Sequence, residues 1–391
     1  MHLLKRLAAA ALMSGMILSA VGCGSANSTK QETAQTETQA NTETSENTEV
    51  ASSEGTRTIV DQVGNEVVLP EKIERVVITS LWPLPSVYTL FQGSAEGLVG
   101  MHPAAKAAAE GSMLGKVADL SGVETSFIQD GQINAEELMK LDPDVVFYLG
   151  TNTEEYEILN KAGIPAVGFL ANASGDWNAI ESVSSWMELL GTIFQKEDRA
   201  AEIKEMGYQM LEEVQARVSD IPQEEKERVL ILYRYSDEQM TVAGNGHFGD
   251  FWIEATGGIN AADEVEGSPA VNMEQIYAWN PDKIFITNFS SRMPEDLLNN
   301  AVDGDDWTSV KAVQDGEVYK IPLGMYRWYP PSSDTPLMLE WFAQKLYPEK
   351  FEDVDMNEEV KAYYNQFYGI ELTDEDVTSI FNPSREAANG V

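Results

Sequence analysis

The sequence predicts an α/β protein of two lobes with mostly parallel β-sheets, joined by a single long α-helix. Three observations lead to this fold class. Apolar strands alternate with helical stretches, an eleven-residue pattern recurs 138 residues along the chain, and a long amphipathic stretch separates the two halves. The chain has 391 residues, of which 43% are hydrophobic. That length allows about two domains, and that composition allows each a proper core.

The recurring pattern is the main reason to expect two related halves. Residues 134–144 (NAEELMKLDPD) and 272–282 (NMEQIYAWNPD) share Asn, Glu, Pro and Asp at identical spacing. Each copy predicts a short helix that its proline stops, and a buried strand then follows. A further β-branched run precedes each copy. The predicted buried strands are, in chain order, 75–79, 145–149, 228–232 and 283–287.

The stretch between the halves predicts the connecting helix. Apolar residues recur at helical spacing through 180–218. A helix over 197–219 would be roughly 35 Å long, enough to run along both halves, and a rigid rod of this kind implies limited relative motion. We therefore divide the globular part into an N-terminal lobe (58–178), a linker helix (179–220) and a C-terminal lobe (221–391).

The N-terminal end predicts export and membrane attachment. Residues 1–22 have a basic start, an apolar run too short to span a membrane, and small residues before Cys23. The run 19–24 (SAVGCG) resembles a bacterial lipobox, which makes Cys23 the lipidated first residue of the mature chain on the extracellular face of the cell membrane. An ordinary cleaved signal with a chance cysteine is the alternative. Residues 23–57 are polar and small, and predict a disordered tether.

Composition excludes several classes of function. There are 26 Lys and Arg against 64 Asp and Glu, and the formal net charge is −38. Such a charge repels nucleic acid, so we expect no nucleic-acid partner. The single cysteine excludes a disulfide framework and a cysteine-rich metal site.

Several motifs, in this order, resemble the solute-binding proteins of ATP-driven importers for iron-siderophores, haem and cobalamin (the Fe/B12 periplasmic-binding family). They are 61–70 (DQVGNEVVLP), the two Glu…Pro-Asp segments, 257–260 (GGIN), Trp307 and 318–319 (VY). The resemblance implies a class III solute-binding protein with two Rossmann-like lobes and ligand in the cleft. It also implies a protein that is not an enzyme and has no cofactor.

The resemblance further implies that Glu136 and Glu274, one on each lobe, dock on the permease subunits of an ABC importer. Two exposed carboxylates related by pseudo-symmetry suit a two-fold partner. The alternative is that each is simply a favourable acid in the first turn of its helix.

The ligand is expected at the loops that follow the strands, because open α/β sheets bind ligands outside the carboxyl ends of their strands. These loops are rich in aromatic rings and hold two arginines, which suits an anionic metal chelate with an apolar body. Imidazole is the commonest metal ligand, so direct ligation by either histidine stays open beside a structural role. The candidate ligand-binding residues are Trp82, Tyr88, His102, Tyr148, Arg234, Tyr235, His247, Asn288, Tyr326, Arg327 and Trp328.

The cargo that we favour from the sequence is a ferric siderophore; haem, a cobamide or an oxoanion such as molybdate would suit the same role. Two other classes compete with this role: a secreted enzyme with paired carboxylates such as Asp305 and Asp306, and a surface receptor without a transporter. Residues 244–249 (GNGHFG) match a dinucleotide fingerprint, but no acidic residue closes a second strand about 20 residues on.

Overall fold

A computed structural model describes residues 55–387 of the chain. The predicted signal, most of the predicted tether and Cys23 lie outside the described residues. The first element is an antiparallel hairpin of β1 (Thr56–Val60) and β2 (Glu66–Pro70). The last two residues of the predicted 23–57 tether therefore belong to a strand.

The N-terminal lobe is built on a four-stranded parallel sheet in the order β4–β3–β7–β8. Its strands are almost entirely buried, as expected for a sheet covered by helices on both faces. A two-stranded hairpin, β5 and β6, stands apart from this sheet. The strands are β3 (Val76–Ile78), β4 (Leu98–Met101), β5 (Ile128–Gln129), β6 (Gln132–Ile133), β7 (Val145–Leu149) and β8 (Ala166–Phe169).

The helices of this lobe alternate with its strands. Several begin at a side chain that accepts hydrogen bonds from the first backbone N–H groups, such as His102, Ser112, Asn134 and Asn152. The helices are α1 (Leu84–Gln92), α2 (Pro103–Glu110), α3 (Met113–Val117), α4 (Ala135–Met139) and α5 (Thr153–Lys161).

Two helices connect the lobes: α6 (Ala179–Phe194) and α7 (Glu197–Val218). The amphipathic stretch 180–218 is thus interrupted, because Gln195 adopts a left-handed conformation with φ of 55° and ends α6. The predicted long helix is α7, which has 22 residues. It packs along α6 and also contacts helices of both lobes.

The C-terminal lobe contains a five-stranded sheet in the order β10–β9–β12–β13, with β11 beside the start of β9. β10 is antiparallel to β9, and the other pairs are parallel. The strands are β9 (Arg228–Tyr235), β10 (Met240–Val242), β11 (Ile259–Asn260), β12 (Lys283–Ile286) and β13 (Val318–Lys320). The helices are α8 (Phe248–Ala255), α9 (Met273–Trp279), α10 (Pro294–Leu298), α11 (Lys311–Asp315), α12 (Thr335–Leu346), α13 (Met356–Tyr368) and α14 (Asp374–Phe381), with short 3₁₀ turns at Gln223–Glu225 and Pro348–Lys350.

The predicted fold class is confirmed. The four predicted strands are β3, β7, β9 and β12, and the two copies of the repeat form α4 and α9. Each repeat helix begins after a capping asparagine and ends before its proline, where Asp142 or Asn280 has a positive φ. The largest hydrophobic core runs through both lobes and includes the buried faces of α6 and α7. Among residues 55–387, no helix is long and apolar enough to cross a membrane.

Candidate ligand-binding cleft

Four rings form a continuous aromatic surface, which we call the aromatic wall: Trp177, Tyr233, His247 and Phe289. The His247 ring is stacked on Trp177 with 5.8 Å between centroids and lies 5.1 Å from Tyr233. The Tyr233 ring in turn lies 5.4 Å from Phe289. All four side chains are partly exposed. Tyr233 and Phe289 lie at the carboxyl ends of β9 and β12, where this kind of sheet binds ligands.

Two guanidinium groups adjoin the Phe289 end of the aromatic wall. Cζ of Arg327 is 4.8 Å from the Phe289 centroid, and Cζ of Arg234 is 5.7 Å from it. Arg327 is only 2% exposed, and its Nε donates to the Asn288 carbonyl at 2.9 Å. Arg234 is exposed. Arg327 is therefore fixed by the protein, whereas Arg234 is free to reach a solute and offers planar donors to anionic oxygens.

His247 lies within the same surface, between Trp177 and Tyr233. Its Nδ1 atom lies 2.6 Å from the Tyr329 hydroxyl oxygen. Burial lowers the pKa of His247 to about 4, so the imidazole is neutral at neutral pH. The aromatic wall thus has two guanidinium groups near Phe289 and a neutral imidazole between Trp177 and Tyr233.

The loop between β13 and α12 carries Arg327 and Tyr329, and a buried carboxylate holds it in place. Asp334 accepts hydrogen bonds from the backbone N–H groups of Met325 and Tyr326 at 2.9 and 3.3 Å. It also accepts from the Tyr364 hydroxyl at 3.0 Å. Burial raises the pKa of Asp334 to about 7.

The N-terminal lobe contributes a cavity of about 280 Å³ at the carboxyl ends of its strands. His102 is stacked on Trp82 there, with 5.2 Å between centroids. Glu155 is buried in the same cavity wall, bonds to Thr79 and Asn152, and has a pKa raised by burial. Within residues 55–387, no group of three or more His, Cys, Asp or Glu side chains is arranged to hold a metal ion.

The family model described as "Periplasmic binding protein" matches residues 76–323. The chain belongs to this family. It is a solute-binding protein of an ABC transporter, with the class III fold of the iron-siderophore and cobalamin type. A periplasmic solute-binding protein from Veillonella parvula is 34% identical, with a TM-score of 0.76, over 84% of this chain and 97% of that one.

Two other similar proteins bind different solutes. The molybdate-binding protein MolA of Haemophilus influenzae is 24% identical over 335 residues, which is 80% of this chain and 91% of MolA. A Ni-His complex of CeuE from Helicobacter pylori is 21% identical with a TM-score of 0.62, over 83% of this chain and 99% of that one. The family and these relatives are solute-binding proteins, not enzymes, and the relatives act outside the cytoplasm.

In this binding protein, seven of the eleven candidate residues are buried: Tyr88, Tyr148, Tyr235, Asn288, Tyr326, Arg327 and Trp328. Tyr88 donates its hydroxyl to the Glu96 carbonyl at 2.6 Å, and the Tyr148 hydroxyl accepts from Asn65 at 3.3 Å. Tyr235 bonds to Asp305 and Trp307, while Trp328 packs on Trp341 and Phe381. The proposed site omits Tyr88, Tyr148, Tyr235 and Trp328, since these side chains are buried and none of them lines the N-lobe cavity or contacts a ring of the aromatic wall.

The other candidates adjoin either the N-lobe cavity or the aromatic wall. Trp82 and His102 line the N-lobe cavity, and Arg234, His247 and Arg327 lie along the aromatic wall. Asn288 and Tyr326 support Arg327: the carbonyl of Asn288 accepts from its Nε, and the Tyr326 hydroxyl accepts from its Nη1 at 3.2 Å.

Sequence reasoning missed Trp177 and Asp334. It also left Tyr233 and Phe289 out of the candidates, although both lie at strand ends where ligand is expected. Trp177 follows β8, so the rule that ligands bind after strands would have found it if applied to the fourth strand as well. Asp334 gives no such signal. Its role depends on the fold of a loop eight to nine residues earlier in the chain, which no local pattern reveals.

The two glutamates of the repeat occupy equivalent, exposed positions. Glu136 is the second residue of α4 and Glu274 the second residue of α9. Asn134 and Asn272 cap these helices and so fix the first turn that carries each glutamate.

Proposed function

We propose that this protein captures an anionic, metal-containing solute in the cleft and delivers it to the permease of its importer. The aromatic wall with Arg327 and Arg234 at one end carries this proposal. Aromatic faces supply rigid apolar contact area, and guanidinium groups bind carboxylate or other anionic oxygens through paired hydrogen bonds.

The cargo that we propose first is a ferric siderophore. Its organic shell would lie on Trp177, Tyr233 and Phe289, while its anionic oxygens would face the guanidinium groups. The net charge of −38 mildly disfavours a small bare oxyanion, but local potential beside the two guanidinium groups can override net charge.

Molybdate is the second candidate, and one specific observation favours it. MolA, which is similar to this chain over 335 residues, is a molybdate-binding protein. The exposed guanidinium of Arg234 suits a small oxyanion as well as it suits a chelate, and the buried Arg327 adds positive charge beside Phe289.

The proposed partners are the two permease subunits and the membrane. Glu136 and Glu274 would each meet a basic residue of one subunit, since they are exposed and occupy equivalent positions on the two lobes. Lipidation at Cys23 would hold the protein at the extracellular face of the cell membrane, next to that permease.

Thermal melting of the purified protein tests the binding role. The panel is a ferric catecholate siderophore, haem, cobalamin, molybdate and ferric citrate. A cargo adds RT ln(1 + [L]/Kd) to the free energy of unfolding, about 2.7 kcal/mol at a hundredfold excess over Kd. We expect a melting shift with the siderophore or with molybdate.

Two arginine variants locate the binding site. The shift should shrink in Arg234→Gln, which alters an exposed guanidinium beside the wall, and persist in Arg385→Gln, whose guanidinium pairs with Asp296 outside it. If no compound of the panel raises the melting temperature, or if Arg234→Gln shows the same rise as the wild type, the proposed site is contradicted.

A further inference from the structure

Each lobe presents one histidine whose Nδ1 atom already accepts a hydrogen bond. In the N-terminal lobe, Nδ1 of His102 accepts from the backbone N–H of Ala104 at 3.1 Å. A backbone N–H donates and cannot accept, so this Nδ1 carries a lone pair and no proton.

The same holds for His247, although its partner is a hydroxyl that could act either way. Burial raises the pKa of Tyr329, so the phenol keeps its proton. Nδ1 of His247 is the acceptor that the described residues offer to this proton, at 2.6 Å. Tyr329 therefore donates and Nδ1 of His247 accepts.

Both imidazoles are neutral and held in orientation. Burial lowers the pKa of His102 and of His247. The His102 ring is stacked on Trp82, and the His247 ring lies between Trp177 and Tyr329 with interplanar angles of 17° and 24°. A neutral imidazole has one protonated nitrogen, so in both residues the proton is on Nε2.

The Nε2–H groups have no hydrogen-bond partner among residues 55–387. His102 lines the N-lobe cavity, and His247 belongs to the aromatic wall. A cargo that spans these two surfaces, as the proposed function requires, would meet one imidazole N–H from each lobe. A nitrogen that carries a proton has no lone pair to give to a metal ion.

We propose that His102 and His247 are tautomer-fixed hydrogen-bond donors that bind acceptor oxygens of the cargo and do not ligate its metal. This inference rests on the proposed function and narrows the cargo. The solute must expose acceptor oxygens toward both lobes, as an oxyanion does, or a chelate whose metal is covered by its own oxygen ligands. A solute held through an imidazole–metal bond does not fit.

Nitrogen-15 NMR of the imidazole rings tests the tautomers directly. The chain has three histidines, His2, His102 and His247, so His102→Gln and His247→Gln assign the signals. At pH 7 we expect a protonated Nε2 and an unprotonated Nδ1 in both His102 and His247. Equimolar Zn²⁺, as a bare metal probe, should leave both patterns unchanged.

Tyr329→Phe supplies the matched variant, because it removes the hydroxyl and keeps the ring. His247 should then populate both tautomers while His102 keeps its own, which makes His102 the internal control for folding. A proton on Nδ1 of either residue, or ring signals that move with Zn²⁺, would overturn the proposal. The NMR measurement needs no cargo. If no compound of the melting panel binds, the proposed function is rejected, but the tautomers found by NMR are unaffected.

Discussion

At the scale of single residues, the cleft depends on groups that sit behind the side chains facing it. Asp334 holds the loop that carries Arg327, and Tyr329 fixes His247. Both supporting side chains are buried, so neither would touch the cargo. The geometry of the cleft is therefore sensitive to changes that alter no proposed contact with solute.

Gly324 shows how closely the supporting loop is packed. A Cβ atom there would lie 2.5 Å from Nε1 of Trp328, 2.7 Å from the Tyr364 hydroxyl and 2.8 Å from Oδ2 of Asp334. We expect Gly324→Ala to lower the free energy of unfolding by about 1–3 kcal/mol, because these atoms must move apart. Urea denaturation measures the change. Gly122→Ala is the control, since nothing lies within 4 Å of its added Cβ, and equal midpoints for the two variants would contradict this account of the loop.

His247 should make stability depend on pH. Its pKa in the folded protein is about 4, below the ordinary value of 6.5. Between those pH values the unfolded chain binds more protons than the folded protein. The contribution of His247 to the free energy of unfolding is therefore complete above about pH 6.5 and is lost as the pH falls toward 4. The loss is at most about 3 kcal/mol.

The raised pKa of Asp334 changes stability with pH in the direction opposite to that of His247. The effect of His247 must therefore be measured by comparing a His247 variant with the wild type. Asp334 stabilises the fold below its ordinary pKa of 3.8, and that contribution disappears as the pH rises through about 7. In urea denaturation at pH 4.5 and pH 7, His247→Gln should lose less stability on acidification than the wild type. The same acid-induced loss in both proteins would show that His247 does not titrate in this way.

At the scale of elements, α7 is the main connection between the lobes. Its buried face comprises Ala200, Ile203, Met206, Gly207, Met210, Val214 and Val218. It packs against α6, against α1 in the N-terminal lobe, and against α12 in the C-terminal lobe. Loss of regular structure in α7 would therefore disturb both lobes.

A proline at an exposed position of α7 tests this role without changing the core. Glu205→Pro removes one helical hydrogen bond and places the ring against the preceding turn, so it should cost about 3 kcal/mol or more. Glu205→Ala keeps the helix and should change stability by less than about 0.5 kcal/mol. Urea denaturation followed by circular dichroism compares the two. A proline variant with the midpoint of the alanine variant would mean that α7 contributes little to stability.

The elements that the sequence predicts well are those with a local signal. Buried strands and the repeat helices are marked by apolar runs, capping asparagines and prolines. The break between α6 and α7 has no glycine or proline to mark it, because a glutamine adopts the left-handed conformation. A prediction from apolar spacing alone therefore treats the two helices as one continuous stretch.

The candidate site shows the same limit. The loops that hold His102, His247 and Arg327 are predictable, because strand ends can be located from sequence. Which aromatic rings in those loops face solvent is not predictable, since it depends on packing between distant segments. Tyr235, for example, ends β9 at the edge where ligand is expected but is buried against Asp305 and Trp307.

At the scale of the whole molecule, the lobes are joined beside the cleft as well as by α7. The backbone N–H of Met113 donates to the Gly324 carbonyl at 2.9 Å, and the Ser112 hydroxyl donates to the Met325 carbonyl at 3.0 Å. Lys116 pairs with Asp376 at 3.0 Å. These contacts and the long helix are consistent with little relative motion of the two lobes. In the proposed function, a permease would therefore recognise fixed surfaces that carry Glu136 and Glu274.

Delivery is tested most directly by an uptake measurement in cells that contain the protein and its importer. The solute is the cargo identified by thermal melting. The double variant Glu136→Ala, Glu274→Ala should bind cargo like the wild type and lower uptake about tenfold or more, because both docking carboxylates are lost. Its matched control is Glu157→Ala with Glu295→Ala, which removes one exposed carboxylate from each lobe and should leave uptake unchanged. Unchanged uptake with the first pair, while cargo binding persists, would contradict delivery through these two glutamates.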